Sequence, residues 1–362
     1  MTGQAIEPAA STRALFGESL GVALAGLAYY LPEDVITNED LSRLVDTSDE
    51  WIQSRTGIQI RHRASSSQAT SDLALNAAQG ALERSGFAPS DLDMIIVATA
   101  TPDSPVPAVS CLLQQMLGAK SAAAMDVGAG CSGFLFALHT AACFVRAGAS
   151  HRILVVGAET LTRVTDYSDR RSCILFGDGA GAAIVTSSHA KEPSLEANRS
   201  TPPGDRLELL YSSLGTDGEL AGLIEIPGGG SRLPASDQTV RDHLHFLRLD
   251  GTAVFRQAVR RMSEAARDAM DKLGLEPGDI DWLVPHQANA RIITAVGEQT
   301  GIPADRAILD MAETGNTSAA SIPITLGRAR EQGRLREGQI VMMLAFGAGL
   351  TWACEVWRVR RA

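Results

Sequence analysis

The sequence predicts an α/β protein made of two similar halves, and three observations carry that prediction. Segments of helical period alternate with short apolar runs, the pattern of βαβ units on a mostly buried parallel sheet. A block of sequence recurs with an offset of 188 residues (274 − 86 = 188). Glycine is frequent (34 residues) and aromatic residues are few (5%), so tight turns and close backbone approaches are expected.

The first copy of the block runs Ala81-Leu-Glu-Arg-Ser-Gly86-Phe-Ala-Pro89-Ser-Asp91-Leu-Asp93 and reads as a helix end, a turn and the start of an apolar strand. The second, Ala269-Met-Asp-Lys-Leu-Gly274-Leu-Glu-Pro277-Gly-Asp279-Ile-Asp281, keeps the Gly, the Pro and both Asp in register. Further helices end at Leu117-Gly118 and at Thr300-Gly301. Each is followed by a short apolar strand holding Asp126 or Asp310, a Gly-containing turn, and a helix of small residues. Another strand comes next, Arg152 to Gly157 or Gln339 to Leu344. Tandem copies imply halves related by a pseudo-twofold axis, with strand ends from both meeting where ligands bind in such sheets. Residues 1–20 read as a flexible extension and 21–190 as the first half. Residues 191–240, rich in Pro, Gly and Ser, read as a connection and surface excursion, and 241–362 as the second half.

Composition narrows the function classes. Hydrophobic residues make up 45% of 362 and charged residues 20%, ordinary for a soluble globular protein. The net charge of −10 argues against a nucleic-acid binder, whose affinity needs a basic footprint. No apolar run reaches the roughly 18–20 residues of a membrane span. The start of the chain has no basic region leading into an apolar core, so no secretory signal is read there. Five cysteines, an odd number with no CxxC spacing, fit a reduced cytoplasmic setting better than a disulfide framework.

Three residues stand out chemically. Cys131 lies in Asp126-Val-Gly-Ala-Gly-Cys131-Ser-Gly, a strand, a tight turn and the start of a helix. A thiol at a helix N-terminus is expected to have its pKa lowered by the helix dipole and free N–H groups. The plainer reading is a small buried residue in a Gly-rich turn. Cys111, Cys143, Cys173 and Cys354 lie in apolar segments and read as buried, inert packing. His286, in Pro285-His286-Gln-Ala-Asn289, interrupts the repeat, which has Ala98 at the matching place; a structural histidine is the other reading. Asn316, in Gly315-Asn316-Thr-Ser, occupies the second half's counterpart of the Cys131 turn and would also serve as a helix N-cap. The symmetry predicts that Cys131 and Asn316 face each other with His286 nearby. Phe176-Gly-Asp-Gly-Ala-Gly181 lacks the Lys and Ser/Thr of a phosphate loop, and His243 with His245 has no third ligand, so neither is read as a site.

Several motifs together resemble the β-ketoacyl-acyl carrier protein synthase III family. They are Leu31-Pro-Glu-Asp-Val-Ile-Thr-Asn-Glu-Asp40, Trp51-Ile-Gln-Ser-Arg-Thr-Gly-Ile58, the Cys131 turn, Pro285-His-Gln-Ala-Asn289, Gly315-Asn-Thr-Ser-Ala-Ala-Ser321 and Phe346-Gly-Ala-Gly349. The likeness runs from about Gly21 to Val359. It implies a thiolase-like fold with central mixed sheets in a layered αβαβα arrangement. It also implies a decarboxylative Claisen condensation initiating fatty-acid synthesis, in which an acyl group from acyl-CoA passes to Cys131 and then meets malonyl-acyl carrier protein. Cys131, His286 and Asn316 would be catalytic, and the backbone N–H groups of Cys131 and Ala348 the oxyanion hole. Trp51 and Arg170 would sandwich the adenine of coenzyme A, Arg55 would meet its phosphates, and Thr252 and Asn289 would line the pantetheine tunnel. Arg256, Arg260, Arg261 and Arg291 would form a basic patch for the acidic carrier protein, or an ordinary solvated helix face. The resemblance implies a homodimer and no cofactor or metal, coenzyme A being part of the substrate. Val106 stands where relatives often carry an aromatic residue that enters the partner's starter pocket, which suggests starters longer or more branched than acetyl. A relative from a specialised pathway, a catalytically silent partner, a cysteine hydrolase and a thiolase proper are the competing readings. The retained Cys131 and the Asn in the twin turn weigh against the last three.

Overall fold

The computed structural model describes residues 21–188 and 206–360. The N-terminal extension read from the sequence therefore lies outside the described residues. The first half comprises strands β1 (Val22–Tyr30), β2 (Asp34–Thr37), β3 (Ile60–Arg63), β4 (Met94–Ala98), β5 (Ala123–Val127), β6 (Arg152–Thr160) and β7 (Asp178–Ser187). Its helices are α1 (Asn38–Ser42), α2 (Asp49–Thr56), α3 (Thr70–Ser85), α4 (Val109–Leu117) and α5 (Gly133–Arg146). The second half comprises β8 (Arg206–Thr216), β9 (Ile224–Glu225), β10 (Arg248–Leu249), β11 (Trp282–Pro285), β12 (Ile340–Gly347) and β13 (Thr351–Arg360). Its helices are α6 (Asp237–Arg241), α7 (Gly251–Leu273), α8 (Ala290–Thr300), α9 (Met311–Thr314) and α10 (Ser321–Glu331).

The duplication is visible in the pairing. β4 runs parallel to β6, which is antiparallel to β7; likewise β11 runs parallel to β12, which is antiparallel to β13. The repeated aspartates do the same job in each half. Asp93 Oδ2 accepts the N–H of Arg152 at 2.9 Å and Asp281 Oδ2 that of Ile340 at 2.8 Å, tying each turn to the neighbouring strand. Gly86 and Gly274 end α3 and α7 with φ of 72° and 64°, a left-handed cap that glycine adopts without a Cβ clash.

Alternate strand residues face opposite layers, which is why the strands read as continuous apolar runs. Ile95, Val97, Leu154 and Val156 pack with α3 and α4 on one outer face. Met342, Leu344 and Val356 pack with α7 and α8 on the other. Ile96, Val155, Val341 and Met343 point inward onto α5 and α10, which form the middle layer. The result is the expected αβαβα stack.

Three details differ from the sequence reading. The two sheets join into one of nine strands, β11-β12-β13-β8-β1-β7-β6-β4-β5, through a short β1–β8 contact of two residue pairs. β8 falls inside the stretch read as a surface excursion; it is half-buried and pairs with β13 along its length. The strand expected around Asp310 is reduced to a single bridge between Leu283 and Ala307, because Gln287 Oε1 draws the N–H of Asp310 to itself at 2.8 Å.

Candidate active site

The two halves bring Cys131, His286 and Asn316 to one cavity of about 1350 Å³. Cys131 sits in a single 3-10 turn, Gly130–Ser132, that leads into α5. Gly347 at the end of β12 presses against this turn, and a Cβ there would stand 2.5 Å from the amide nitrogen of Cys131. Gly130 in turn abuts the amide of Ala348, with a Cβ contact of 3.0 Å. These two glycine contacts bring the N–H groups of Cys131 and Ala348 to the same stretch of cavity wall.

His286 follows β11 directly, at the strand's carboxyl end, and is buried. Its Nδ1 lies 2.7 Å from Ser321 Oγ, the first residue of α10. The same oxygen accepts the N–H of Gln287 at 3.4 Å, so the hydroxyl proton is directed at Nδ1. That network assigns the ring proton to Nε2, the nitrogen free to donate into the cavity. Burial drives the imidazole pKa down to about 4, so the ring is neutral near pH 7. Asn316 is also buried, and its backbone is locked by Leu175 O at 2.9 Å and Gly177 N at 3.0 Å. Its Oδ1 accepts the N–H of Ser318 at 2.9 Å, which turns the amide N–H₂ toward the cavity. The site thus offers two neutral donors, which favour a developing oxyanion without drawing a counter-charge.

The expectation for the thiol is corrected. Crowding by protein pushes Cys131 up to about 11, outweighing the turn's N–H groups, and the nearby Glu159 carboxylate adds to the rise. Burial lowers the basicity of His286 while it raises the pKa of the thiol, so both shifts oppose passing the thiol proton to the imidazole. His286 is therefore suited to donating a hydrogen bond and poorly suited to taking the thiol proton.

At the cavity mouth, Trp51 carries Arg170 at 4.7 Å and Arg55 at 5.1 Å from its ring centre. Arg170 lies on the indole face itself and also donates to Asp46 O at 2.7 Å, so a base entering between them displaces the guanidinium. Thr252 and Asn289 line the same cavity. The Asn289 amide is committed to structure, donating to Arg55 O at 3.0 Å and accepting from Arg291 N at 2.9 Å, which ties α2 to α8. Arg256 and Arg291 line the cavity, and Arg260 is exposed one helical turn beyond Arg256. Arg261 departs from the expected patch. It is held inward by Asp217 at 3.0 Å and lies over Trp352 at 4.4 Å.

Val106 does not line this chain's cavity; it is 83% exposed on the loop between β4 and α4. Cys173 and Cys354 are buried as expected, but Cys111 and Cys143 are exposed, because they fall on the outward faces of α4 and α5. The Phe176–Gly181 run is structural: Asp178 is buried and accepts the N–H of Ala64 at 2.8 Å and of Thr162 at 2.9 Å. His243 pairs with Asp166 and His245 with Thr239, and the described residues contain no metal-ligating cluster. Ser318, Ser321 and Gln287 were not singled out from the sequence. Their signal was the run of small polar residues flanking Asn316 and His286.

The sequence and the fold both have relatives among known proteins. A family model described as 3-oxoacyl-[acyl-carrier-protein (ACP)] synthase III matches residues 125–201, and its C-terminal counterpart matches 270–359. A β-ketoacyl-[acyl-carrier-protein] synthase III of Caldanaerobacter subterraneus is 46% identical over 343 residues, 94% of this chain and 98% of its own. The crystal structure of the 3-oxoacyl-[acyl-carrier-protein] synthase III of Aquifex aeolicus superposes with a TM-score of 0.82 at 39% identity, covering 93% of this chain and all of that one. The priming β-ketosynthase of the R1128 polyketide pathway gives 0.83 at 34% identity, covering 96% and 99%. The chain belongs to the β-ketoacyl-acyl carrier protein synthase III family, acyltransferases that carry out the initiating condensation of fatty-acid synthesis.

Proposed function

We propose that Cys131 is the acyl-bearing nucleophile of this synthase and that His286 and Asn316 drive the decarboxylation that follows. The convergence of the three side chains on one cavity, whose mouth is framed by Trp51, Arg55 and Arg170, carries the reading. An acyl-CoA enters by that mouth and places its carbonyl oxygen against the N–H groups of Cys131 and Ala348. The thiolate adds to the carbonyl carbon, the bond to the coenzyme A sulfur breaks, and the acyl-enzyme divides one hard step into two. Malonyl-acyl carrier protein then occupies the same channel. As CO₂ leaves, negative charge grows on the thioester oxygen, where His286 Nε2–H and the Asn316 amide donate. One such preorganised donor is worth roughly 3–4 kcal/mol. The carbanion attacks the acyl-Cys131 carbonyl and releases the 3-oxoacyl product.

Arg256, Arg260 and Arg291 are the residues on which an acidic carrier protein would dock, an exposed set in a chain of net charge −10. A homodimer is supported by β5, which ends the sheet with an unpaired edge (Ala123–Val127), beside the exposed Val106 and the outward face of α5. Five unpaired cysteines support a reduced, cytoplasmic setting, and no helix among the described residues is long and apolar enough to cross a membrane. Val106, where the family resemblance puts an aromatic residue in many members, supports acceptance of starters longer or more branched than acetyl.

Intact-mass analysis after incubation with acyl-CoAs of two to eight carbons tests the whole reading. The expected result is a single acyl adduct on Cys131, formed faster from the longer or branched members. No adduct, or an adduct on another cysteine, overturns the assignment of the nucleophile; a preference for acetyl overturns the starter preference alone.

A further inference from the structure

Two N–H donors serve one oxyanion only if their spacing is fixed, and the amides of Cys131 and Ala348 belong to different halves of the chain. Glycine contacts press the two turns together. Contact of that kind has no direction, whereas a hydrogen bond does. Thr351, the first residue of β13, is buried and stands behind the cavity wall, not in it. Its hydroxyl donates to Ala129 O at 2.9 Å, across 222 residues of sequence, and to Ala348 O at 3.0 Å, one proton shared between two carbonyls. Ser132, wholly buried beside the thiol, donates from Oγ to Thr351 O at 3.2 Å. Thr351 is thus bonded to the nucleophile's turn on both sides of Cys131 and to the residue that carries the second donor. The carbonyls of Ala129 and Ala348 adjoin Gly130 (φ 50°) and Gly349 (φ 136°), whose backbones have little restraint of their own. The outer side of the Ala348 turn is held separately. Asp217 and Leu350 exchange both backbone bonds at 2.8 Å, and Arg261 pairs with Asp217 at 3.0 Å. β13 is also paired along its length with β12 and β8, so its place in the sheet does not depend on the Thr351 hydroxyl.

We propose that Thr351 is a positioning residue for acyl transfer, which rests on reading the Cys131 and Ala348 amides as the oxyanion hole. Its hydroxyl straps the two turns together and sets the spacing of the two donors, with Ser132 as a second strap. Thr351 touches neither substrate nor the reacting atoms. As the thiolate adds, the carbonyl oxygen gains negative charge, and a pair of amides already held in place needs no rearrangement at that moment. The donors of His286 and Asn316 are set by other bonds, to Ser321 Oγ and from Ser318 N–H. The strap therefore governs acylation and leaves decarboxylation alone.

The test compares full-length Thr351→Val, which keeps the branched shape and removes the hydroxyl, with Thr351→Ser, which keeps the hydroxyl. Single-turnover acylation by hexanoyl-CoA is followed by intact mass over a range of concentrations. Iodoacetamide alkylation of Cys131, which forms no oxyanion, is timed beside it. Release of CO₂ from malonyl-CoA is measured on enzyme whose Cys131 has been alkylated. Thr351→Val should lower the maximal acylation rate by about tenfold to 100-fold, the effect of a misplaced donor. Half-saturating hexanoyl-CoA, alkylation and CO₂ release should each stay within about twofold of the parent, because only a transition-state contact is weakened. Thr351→Ser should acylate within about threefold of the parent, since the donating hydroxyl is retained. Acylation of Thr351→Val at the parent rate overturns the proposal, and so does a Thr351→Ser enzyme as slow as Thr351→Val. Acylation and alkylation falling together also overturn it, as the mark of a loosened fold. If Thr351→Val does not fold, Ser132→Ala decides by the same rates, parent-like acylation again overturning the strap. Gly347→Ala separates the two levels. If it acylates at the parent rate, the oxyanion-hole reading itself fails; if it is slow while Thr351→Val is not, only the strap fails.

Discussion

The turn that carries Cys131 and the turn that follows Asn316 are built alike and differ at the strand ends that close on them. Each is a single 3-10 turn, Gly130–Ser132 or Ser318–Ala320, leading straight into a helix of the middle layer. The 188-residue offset holds in three dimensions. β4 and β6 pair Val97 with Val156, and β11 and β12 pair their counterparts, Pro285 with Leu344. At that offset Cys131 matches Ala319, Ala98 matches His286, and Glu159 matches Gly347. The instructive difference is at the strand ends. Glu159 ends one strand with a buried carboxylate that accepts the Ala100 N–H at 3.1 Å and the Thr101 hydroxyl at 2.6 Å. Gly347, in the equivalent place, has no side chain and lies against the N–H of Cys131. On the proposed function, the strand end that lacks a side chain is the one that leaves the Cys131 amide to a substrate oxyanion.

The largest expected effect comes from closing that difference. Gly347→Ala forces a methyl group to 2.5 Å from the Cys131 amide and should slow Cys131 acylation by about 100-fold or more, the usual cost of losing an oxyanion donor. Single-turnover acylation measures it, and a rate within tenfold of the parent breaks the comparison. Next come His286→Ala and Asn316→Ala. Each should reduce release of CO₂ from a malonyl thioester by about 100-fold, while Cys131 still takes up an acyl group. Loss of acylation in step with decarboxylation would show that the two turns do not divide the labour.

A smaller effect separates the two buried carboxylates. Glu355, in mid-β13, accepts from Ser212 Oγ and Trp357 Nε1, both at 2.9 Å, and burial pushes its pKa up to about 8. Because the folded value is raised, the stability this group contributes is present at low pH and is lost as pH rises toward 8. Between pH 6 and 8 the unfolded chain has released this proton while the folded chain still holds it. Stability should fall by roughly 2 kcal/mol over that range, and Glu355→Gln should remove most of the fall. Urea unfolding at the two pH values measures it. An unchanged slope in the variant would place the pH dependence elsewhere.

Much of this was legible before any coordinates. The repeated Gly, Pro and Asp positions predicted two halves, and they recur because each half needs the same left-handed helix cap and the same aspartate gathering of strand N–H groups. His286 was legible as the residue that breaks the repeat at Ala98, and Asn316 as the polar member of the twin turn. Other features were hidden for physical reasons. β8 looked like part of an excursion because its alternating burial gives a weaker apolar signal than the buried strands around it. Glu159 carried no signal, since nothing local marks a carboxylate that will be buried. Ser318 and Ser321 were lost among small residues that serve equally well to let helices approach. The thiol was misjudged because a turn's dipole can be read from sequence and the surrounding desolvation cannot. Cys111 and Cys143 were misjudged because apolar neighbours say which helix a residue is on and not which face it takes.

The chain alone determined the two-halved α/β plan and the residue types available for acyl transfer, because these follow from local period, turn chemistry and the repeat. Only the tertiary structure decided the protonation of Cys131 and His286, the direction in which Ser321 and Asn316 set their donors, and which amide remained open. Those properties depend on burial and on packing between elements, such as Gly347 against the Cys131 turn, which no local pattern encodes.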